Sequence, residues 1–444
     1  MKTVFRAAIV LVLGASLFLV GGLGLWDGPS SAPPTGGADV VVTDPSVVLN
    51  APGRSLDAVI ASLQERVRST PGDWEAAASL GLAYVQQARI TNDPSLYPKA
   101  ETVLQASLVE RPESNAGAYL GLAALAAARH DFDEALRFGR LAERVNPYDG
   151  TVHGVVGDAL LELGRYQAAF ASFQRMVDIE PGLSAYARVS YARELQGDIA
   201  SATAGMEAAR GVAGTPEGAA FAAYQLGELA WRSGRVEMAA RYYREAAGHD
   251  PAWAPPQAGL ARVAWARGDL QAAIDGYRDV VTVSPLPEHV IALGDLLTLA
   301  GDSIGAEQQY ALARAQADLL RTGGVNVDLE LALFEADHGD PARALAAARA
   351  EWDRRHSVHV ADALGWALLA AGEPDRAARY ARFALSLGTR DASFLYHSGM
   401  IEVARGDVVA ARRFLRAALA TNPNFSFLYG DVARETLREL EPVR

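Results

Sequence analysis

One stretch of this 444-residue chain decides its fold. It reads Gly157-Asp158-Ala159-Leu160-Leu161-Glu162-Leu163-Gly164-Arg165-Tyr166 and continues with Ala169, Phe173 and Pro181. Its turn glycine recurs at intervals of 33 to 38 residues, at Gly164, Gly197, Gly234, Gly268, Gly301, Gly339, Gly372 and Gly406. Self-similarity at such a period, sustained over much of a chain, is typical of a solenoid of stacked repeats.

Each repeat predicts two helices joined by a tight turn. The glycine can adopt the left-handed conformation that ends the first helix, and the aspartate that often follows can cap the second. A small residue such as Ala169 lets the two helices approach closely, and a large one such as Phe173 fills the space beside the next repeat. Proline then breaks the chain before the next first helix. One such hairpin cannot bury its apolar face alone, so neighbouring repeats must stack.

This pattern resembles the tetratricopeptide repeat (TPR) over roughly residues 73–424. The resemblance implies an all-α, right-handed superhelical solenoid of about ten helix-turn-helix repeats. We place the starts of these repeats near residues 74, 116, 150, 184, 220, 254, 287, 325, 358 and 392. We bound the solenoid at residues 51–424, with a solvating helix over residues 55–69 and a capping helix within residues 425–444.

The whole chain is also similar to a group of bacterial exported TPR proteins that have no firmly assigned activity. The stretches that carry this likeness are residues 92–97, 187–191, 326–339 and 387–392. The likeness supports the fold and export, and it implies no mechanism.

Composition excludes several classes of function. The chain has no cysteine, so disulfides, thiolate metal sites and cysteine nucleophiles are excluded. Its net charge of −12 repels phosphate backbones and anionic lipids, so we expect neither nucleic acid nor a membrane surface as a partner of the body. The sequence contains no Gly-x-Ser-x-Gly, Walker-type or dinucleotide-binding motif. We therefore expect a protein that is not an enzyme and needs no cofactor.

An uncharged run from Ala7 to Trp26 follows Lys2 and Arg6. A helix of this length spans about 30 Å, which is enough to cross a bilayer, and the positive flank predicts that the body is exported. We interpret residues 1–26 as a signal peptide or transmembrane anchor and the Pro-, Gly- and Ser-rich residues 27–50 as a flexible linker. The expected location is periplasmic or extracytoplasmic, tethered to the inner membrane by residues 7–26, or secreted if the segment is cleaved.

The resemblance implies a concave groove, lined by the first helix of each repeat, that binds a protein or peptide partner in the cell envelope. Aromatic and arginine side chains dominate the binding energy of such interfaces. Carried onto this sequence, the groove comprises Phe221, Tyr224, Glu228, Trp231, Arg232, Arg262, Trp265, Asp295, His359, Asp362, Trp366 and Tyr396. The alternative is that the tryptophans pack between repeats, and the sequence leaves both interpretations open.

The densest group of metal-ligand types is Glu335, Asp337, His338, His356 and His359. Imidazole and carboxylate groups suit Zn²⁺ and similar ions. These residues lie near predicted turns, however, where polar side chains are ordinary, and the sequence has no His-Glu-x-x-His motif. We therefore predict no metal site and retain these five residues as the candidate set for the alternative.

Two irregularities interrupt the array. Residues 90–98 lengthen the first repeat and are either a recognition loop or a tolerated insertion. Residues 210–218 contain Gly211, Gly214 and Pro216 and are either a hinge or a local distortion in a continuous superhelix.

Together these features predict a non-catalytic scaffold or adaptor that binds partner proteins in its concave groove. The first alternative is an exported metal-binding or metal-handling protein that uses the histidine and carboxylate group. The second is a self-associating structural array.

Overall fold

The computed structural model describes residues 56–91 and 93–441, so the predictions for residues 1–55 lie outside the described residues. Within these ranges the chain forms 22 α-helices and one short 3₁₀ helix, with no strand. None of these helices is both long and apolar enough to cross a membrane.

The helices are α1 (Leu56–Ser69), α2 (Trp74–Thr91), α3 (Tyr97–Glu110), α4 (Ala116–Ala128), α5 (Phe132–Val145), α6 (Gly150–Glu162), α7 (Tyr166–Ile179), α8 (Leu183–Leu195), α9 (Ile199–Gly211), α10 (Pro216–Arg232), α11 (Val236–His249), α12 (Ala254–Ala266), α13 (Leu270–Val283), α14 (Pro287–Leu299), α15 (Ser303–Thr322), α16 (Asp328–His338), α17 (Pro341–Arg354), α18 (Val358–Ala370), α19 (Pro374–Ala384), α20 (Ala392–Arg405), α21 (Val408–Thr421) and α22 (Tyr429–Leu440). The 3₁₀ helix Pro94–Leu96 lies between α2 and α3.

Helices α2 to α21 form ten consecutive pairs, and each pair begins within four residues of a predicted repeat start. The predicted all-helical solenoid of ten helix-turn-helix repeats is therefore confirmed. Helix α1 precedes the first pair, and α22 follows the last with Tyr429 and Ala433 buried against it.

The turns follow the predicted capping rule. Asp198, Asp269 and Asp407 each accept a hydrogen bond from a backbone N–H in the first turn of the second helix. The preceding glycine usually has a positive φ, as at Gly164 with 74°. In the second repeat His130 takes this place with a φ of 59°.

The predicted packing of large side chains against small ones is also present. Gly227 of α10 and Gly259 of α12 face opposite sides of the Tyr243 ring, so closely that a Cβ on either glycine would overlap the ring. Tyr243 is fully buried. Because α10 and α12 belong to successive repeats, this one ring ties the fifth repeat to the sixth.

The array turns back on itself, and its successive turns are in direct contact. The backbone N–H of Val358 donates to Tyr166 Oη at 2.6 Å, and Asn422 Nδ2 donates to the Trp231 carbonyl at 2.9 Å. These partners lie 192 and 191 positions apart in the sequence. The helix-turn-helix connections of the third and fifth repeats therefore contact the start of the ninth repeat and the end of the tenth.

The lengthened loop of the first repeat takes part in this contact. Leu96 shares a buried apolar cluster with Val325, which follows α15. Helix α15 has 20 residues, whereas the other second helices have 11 to 14, and at its end Gly323 lies against Pro94. The insertion thus serves an intramolecular contact, a role that neither sequence interpretation foresaw.

The array is packed continuously across residues 210–218. Met206 and Ala209 of α9 lie in the same buried cluster as Phe221 and Ala222 of α10. This packing agrees with a local distortion in a continuous array. A hinge motion at this position stays a prediction.

Replacement of Gly164 by alanine should destabilise the coil more than replacement of Gly301. Both glycines have a positive φ, of 74° and 79°, so both variants carry backbone strain of about 1–2 kcal/mol. At Gly164 the new methyl group would also overlap the His356 carbonyl, whereas nothing lies within 4 Å at Gly301. We expect an additional loss of about 1–3 kcal/mol in the free energy of unfolding, measured by urea denaturation. Equal losses would contradict the close contact between turns.

Candidate functional site

The residues predicted to line a groove lie on the inner face of the coil, and most of them are buried. Eight of the twelve have exposed fractions of 5% or less: Phe221, Tyr224, Glu228, Trp231, Asp295, Asp362, Trp366 and Tyr396. Arg232, Arg262, Trp265 and His359 are partly exposed. The expectation of an open groove is corrected at the eight buried positions, because neighbouring repeats and the next turn of the coil cover them. A partner-binding role for the other four stays a prediction.

The tryptophans pack within the protein, as the alternative interpretation holds. The Trp231 ring lies beneath the Arg262 guanidinium, 5.1 Å from its Cζ. Trp366 stacks on His397 with ring centroids 4.2 Å apart. Trp265 meets Phe427, which precedes α22, edge-on at 4.8 Å.

A charged cluster joins α8 with α10, α11 and α12. It consists of Glu194, Glu228, Arg232, Tyr243 and Arg262, and we call it the Glu228 cluster. The buried Glu228 accepts a hydrogen bond from Tyr243 Oη at 2.7 Å and pairs with Arg262. Arg232 lies 3.8 Å from the other Glu228 oxygen and pairs with Glu194 at 2.7 Å. The cluster thus links three successive repeats through alternating charges.

The arginines of this cluster determine the ionisation of Glu228. Burial alone would raise the pKa of Glu228, because a carboxylate loses its hydration inside the protein. The positive charges of Arg262 and Arg232 outweigh this effect and hold the pKa of Glu228 below its usual range. Glu228 is therefore negatively charged at neutral pH, and its stability in the interior depends on both arginines.

A second polar cluster, the Asp337 cluster, consists of Asp337, Trp366 and Tyr429. Asp337 Oδ1 accepts hydrogen bonds from Trp366 Nε1 at 2.7 Å and from Tyr429 Oη at 3.1 Å. Burial raises the pKa of Asp337 well above its usual range, and these two hydrogen bonds oppose the rise without cancelling it. The negative charges of Asp295 and Asp362 act in the same direction as burial. The Asp337 carboxyl group is therefore harder to ionise than an exposed one.

The residues considered as metal ligands are held apart by separate partners. These partners are Arg343 for Glu335, Trp366 for Asp337, Asp295 for His338, Trp352 for His356 and Tyr191 for His359. Burial also lowers the pKa of His359 to about 4. Across residues 56–91 and 93–441, no three side chains of metal-binding type share a site.

A pocket opens between α8, α9 and α10, and we call it the Gln225 pocket. Its apolar floor includes Met206, Phe221 and Leu229, and its polar rim includes Glu194, Gln225 and Arg232. Gln225 is 7% exposed, and its Nε2 donor is buried without a hydrogen-bond partner among the described residues. The pocket therefore offers an apolar surface beside an unsatisfied hydrogen-bond donor.

The charged pairing on the inner face was not foreseen, although the sequence carries a signal for it. A charged residue lies six positions before the turn glycine in four repeats: Asp158, Glu228, Arg262 and Asp295. Such a residue in the middle of an apolar helix must find a partner, because a buried unpaired charge is strongly unfavourable. Glu228 and Arg262 are 34 residues apart, one repeat, and therefore face each other.

Comparison with known proteins agrees with the repeat architecture. Tetratricopeptide repeat family models match residues 122–184, 222–252 and 363–426. The chain is 24% identical over 313 residues to cellulose synthase operon protein C of Komagataeibacter xylinus, covering 66% of this chain and 22% of that protein. The chain thus spans about a fifth of the length of that relative.

Two solved structures extend the comparison. A tetratricopeptide repeat protein from Parabacteroides merdae is 16% identical, with a TM-score of 0.34 over 58% of this chain and 98% of that chain. The human IFIT1 dimer with PPP-AAAA is 11% identical, with a TM-score of 0.46 over 93% of this chain and 95% of that chain.

Loss of Arg262 should destabilise the protein through Glu228. In Arg262→Met the buried Glu228 carboxylate loses its closest positive charge, so we expect the free energy of unfolding to fall by about 3–5 kcal/mol. In the double variant Glu228→Gln/Arg262→Met no charge is left unpaired at this position, so part of the loss should be recovered. Urea denaturation of all four members of the cycle measures the coupling. Additive losses would show that the two side chains do not depend on each other.

The substitution Asp337→Asn should raise the free energy of unfolding relative to the wild type, and this gain should be larger at neutral pH than at acid pH. The raised pKa of Asp337 means that the folded state binds its proton more tightly than the unfolded state, whose aspartate ionises near pH 3.9. Wild-type stability therefore loses this contribution as the pH rises above about 4, and asparagine has no proton to lose. We expect the difference in unfolding free energy to grow by at least about 1.4 kcal/mol between pH 3.5 and 7.5. A difference that does not change with pH would contradict the raised pKa.

Proposed function

We propose that this chain, which contains tetratricopeptide repeats, is a non-catalytic, exported scaffold that binds a partner protein through the Gln225 pocket. Tetratricopeptide repeat arrays generally mediate protein–protein interaction, and the absence of nucleophile and nucleotide-binding motifs from the sequence supports a role without catalysis. The uncharged run of residues 7–26 after two basic residues supports export and tethering at the inner membrane.

The Gln225 pocket carries this proposal. Most of the inner face is closed by the coil, whereas this pocket is open and combines apolar floor residues with polar rim residues. Small sites of this composition, in which a few polar groups orient a mainly apolar contact, are typical of ligand-binding clefts. Because Met206 and Phe221 are themselves buried, the pocket would admit only a small apolar group of a partner side chain beside them.

The unsatisfied amide of Gln225 supplies the specificity. A buried donor without a partner costs about 1–3 kcal/mol in the free protein. A partner that displaces the surrounding side chains and places a carbonyl or carboxylate oxygen at Gln225 Nε2 removes this cost on binding. The rim residues Glu194 and Arg232 already pair with each other at 2.7 Å, so they contribute less to the binding energy than their charges suggest.

The variant Gln225→Met tests the proposal because methionine has nearly the same shape but no donor. We expect its free energy of unfolding to be equal to or higher than that of the wild type, since Gln225 Nε2 makes no hydrogen bond with any described residue. Partner capture from an extract of the cell envelope, quantified by mass spectrometry, should fall at least about fivefold, equivalent to about 1 kcal/mol.

The matched control is Gln308→Met on the exposed face of α15, which should leave both stability and capture unchanged. Unaltered capture by Gln225→Met would exclude the Gln225 pocket as the binding site. A large loss of stability in Gln225→Met would show that its amide is bonded within the protein.

A further inference from the structure

Two second helices of this acidic chain, those of the ninth and tenth repeats, carry a net positive charge. The whole chain has a net charge of −12, yet α19 and α21 together carry six arginines and a single acidic residue, Asp375. The equivalent helix of the fifth repeat, α11, carries two arginines and two glutamates. The C-terminal pair of second helices thus differs in charge from the same element elsewhere in the array.

The arginines of α19 and α21 repeat in register with the array. Arg379 and Arg413 are 34 residues apart, and so are Arg382 and Arg416. Arg379 and Arg413 each lie over the aromatic ring of the next residue. Arg379 Cζ is 5.9 Å from the Tyr380 ring, and Arg413 Cζ is 4.6 Å from the Phe414 ring. Both α19 and α21 pack against α20, which lies between them in the chain, so equivalent residues on the two helices lie one repeat apart in the array.

Four of these arginines have no acidic partner in the part of the chain that the structure describes. Arg376 pairs with Glu373 and Arg416 with Glu441. No carboxylate of the described residues pairs with the remaining four, which are Arg379, Arg382, Arg412 and Arg413. These exposed or partly exposed arginines therefore leave positive charge available to an external group.

Aromatic side chains border the arginines. Trp352 of α17 meets Tyr380 at 5.1 Å and Phe383 at 5.5 Å between ring centroids, and His356 packs on the other side of Trp352 at 4.4 Å. Phe383 is 38% exposed, and His356 is exposed. Arginine, tryptophan and tyrosine are the residues that most often dominate protein–protein binding energy.

We propose that α19 and α21, with Trp352, form a second interaction surface, the C-terminal basic face, which binds an acidic segment of a partner protein that also carries an aromatic residue. The unpaired guanidinium groups of Arg379, Arg382, Arg412 and Arg413 pair with carboxylates of the segment, where two parallel N–H···O bonds fit one carboxylate. Its aromatic residue packs beside Phe383 and Tyr380.

The size of the basic face favours a protein segment over a long polyanion. The positive charge extends over two helices, and the remainder of the chain is strongly acidic. A nucleic acid would extend beyond the face onto acidic surface within a Debye length of about 8 Å and be repelled there. A short acidic segment ends before that happens.

Fluorescence anisotropy with the full chain tests the proposal. The probe is a fluorescein-labelled peptide of sequence Glu-Glu-Glu-Phe-Glu-Glu-Glu, and the reference is the same peptide with glutamine in place of glutamate. We expect the glutamate peptide to bind at least tenfold more tightly than the glutamine peptide, with an affinity that falls as salt concentration rises. The double variant Arg379→Glu/Arg382→Glu should weaken binding at least tenfold.

The array provides a matched control at the same two repeat positions. Arg241 and Arg244 of α11 are exposed and spaced like Arg379 and Arg382, but their helix also carries Glu237 and Glu245. Arg241→Glu/Arg244→Glu should change the affinity less than twofold, and circular dichroism should show both double variants folded.

Three results would overturn the proposal. The first is equal affinity for the glutamate and glutamine peptides. The second is an equal loss of binding in the two double variants, which would show that peptide affinity depends on the total charge of the protein and not on the C-terminal basic face. The third is tighter binding of a labelled dT12 oligonucleotide, lost in Arg379→Glu/Arg382→Glu, which would assign the face to nucleic acid. The variant Gln225→Met should bind the peptide like wild type, because the two surfaces are separate.

Discussion

The close approach between successive turns of the coil is the constraint on which the rest of the structure depends. Gly164 lies so near the His356 carbonyl that a side chain cannot fit, and Gly197 meets the Gly388 carbonyl in the same way. Backbone groups on one turn are satisfied by side chains of the other, as Val358 N–H is by Tyr166. Water is thereby excluded from most of the inner face, so a polar group there that lacks a protein partner, as Gln225 Nε2 does, is costly.

This requirement is met at two length scales. Pairs such as Glu228 with Arg262 join one repeat to the next, and pairs such as Glu162 with Arg355 join one turn to the next. A buried pair adds little net stability compared with apolar packing, but a broken one is costly. The pairs therefore act mainly on register, because a slip of one repeat would leave several charges buried without partners.

The sequence predicts the parts of this structure that local chemistry determines. Glycine turns such as Gly164, capping aspartates such as Asp269 and the spacing of Tyr243 are local signals, and they place all ten helix pairs within four residues. The contact between turns joins residues more than 190 positions apart, and no local signal records it. Trp366 is covered by His397 and Tyr429, and Trp231 by Arg262, so both are buried although they belong to the predicted groove.

The basic face likewise depends on contacts that no local sequence signal records. The arginines of α19 and α21 are ordinary for helices, and their significance depends on which carboxylates lie near them in space. Among the described residues, Arg376 pairs with Glu373, whereas Arg379 pairs with no carboxylate and lies over the Tyr380 ring. A pairing pattern of this kind becomes visible only when neighbouring helices are placed side by side.

A closed coil also changes what kind of partner the protein can hold. An open solenoid can wrap an extended peptide along its inner face, but here eight of the twelve predicted groove residues are buried, and the Gln225 pocket is one opening among the described residues. Such a pocket accepts a single anchoring side chain, and one anchor supplies modest affinity. If the C-terminal basic face supplies a second contact, it raises the effective concentration of the first. Closure of the coil would then replace one long groove by two smaller surfaces, which suits a scaffold that binds one partner at two sites.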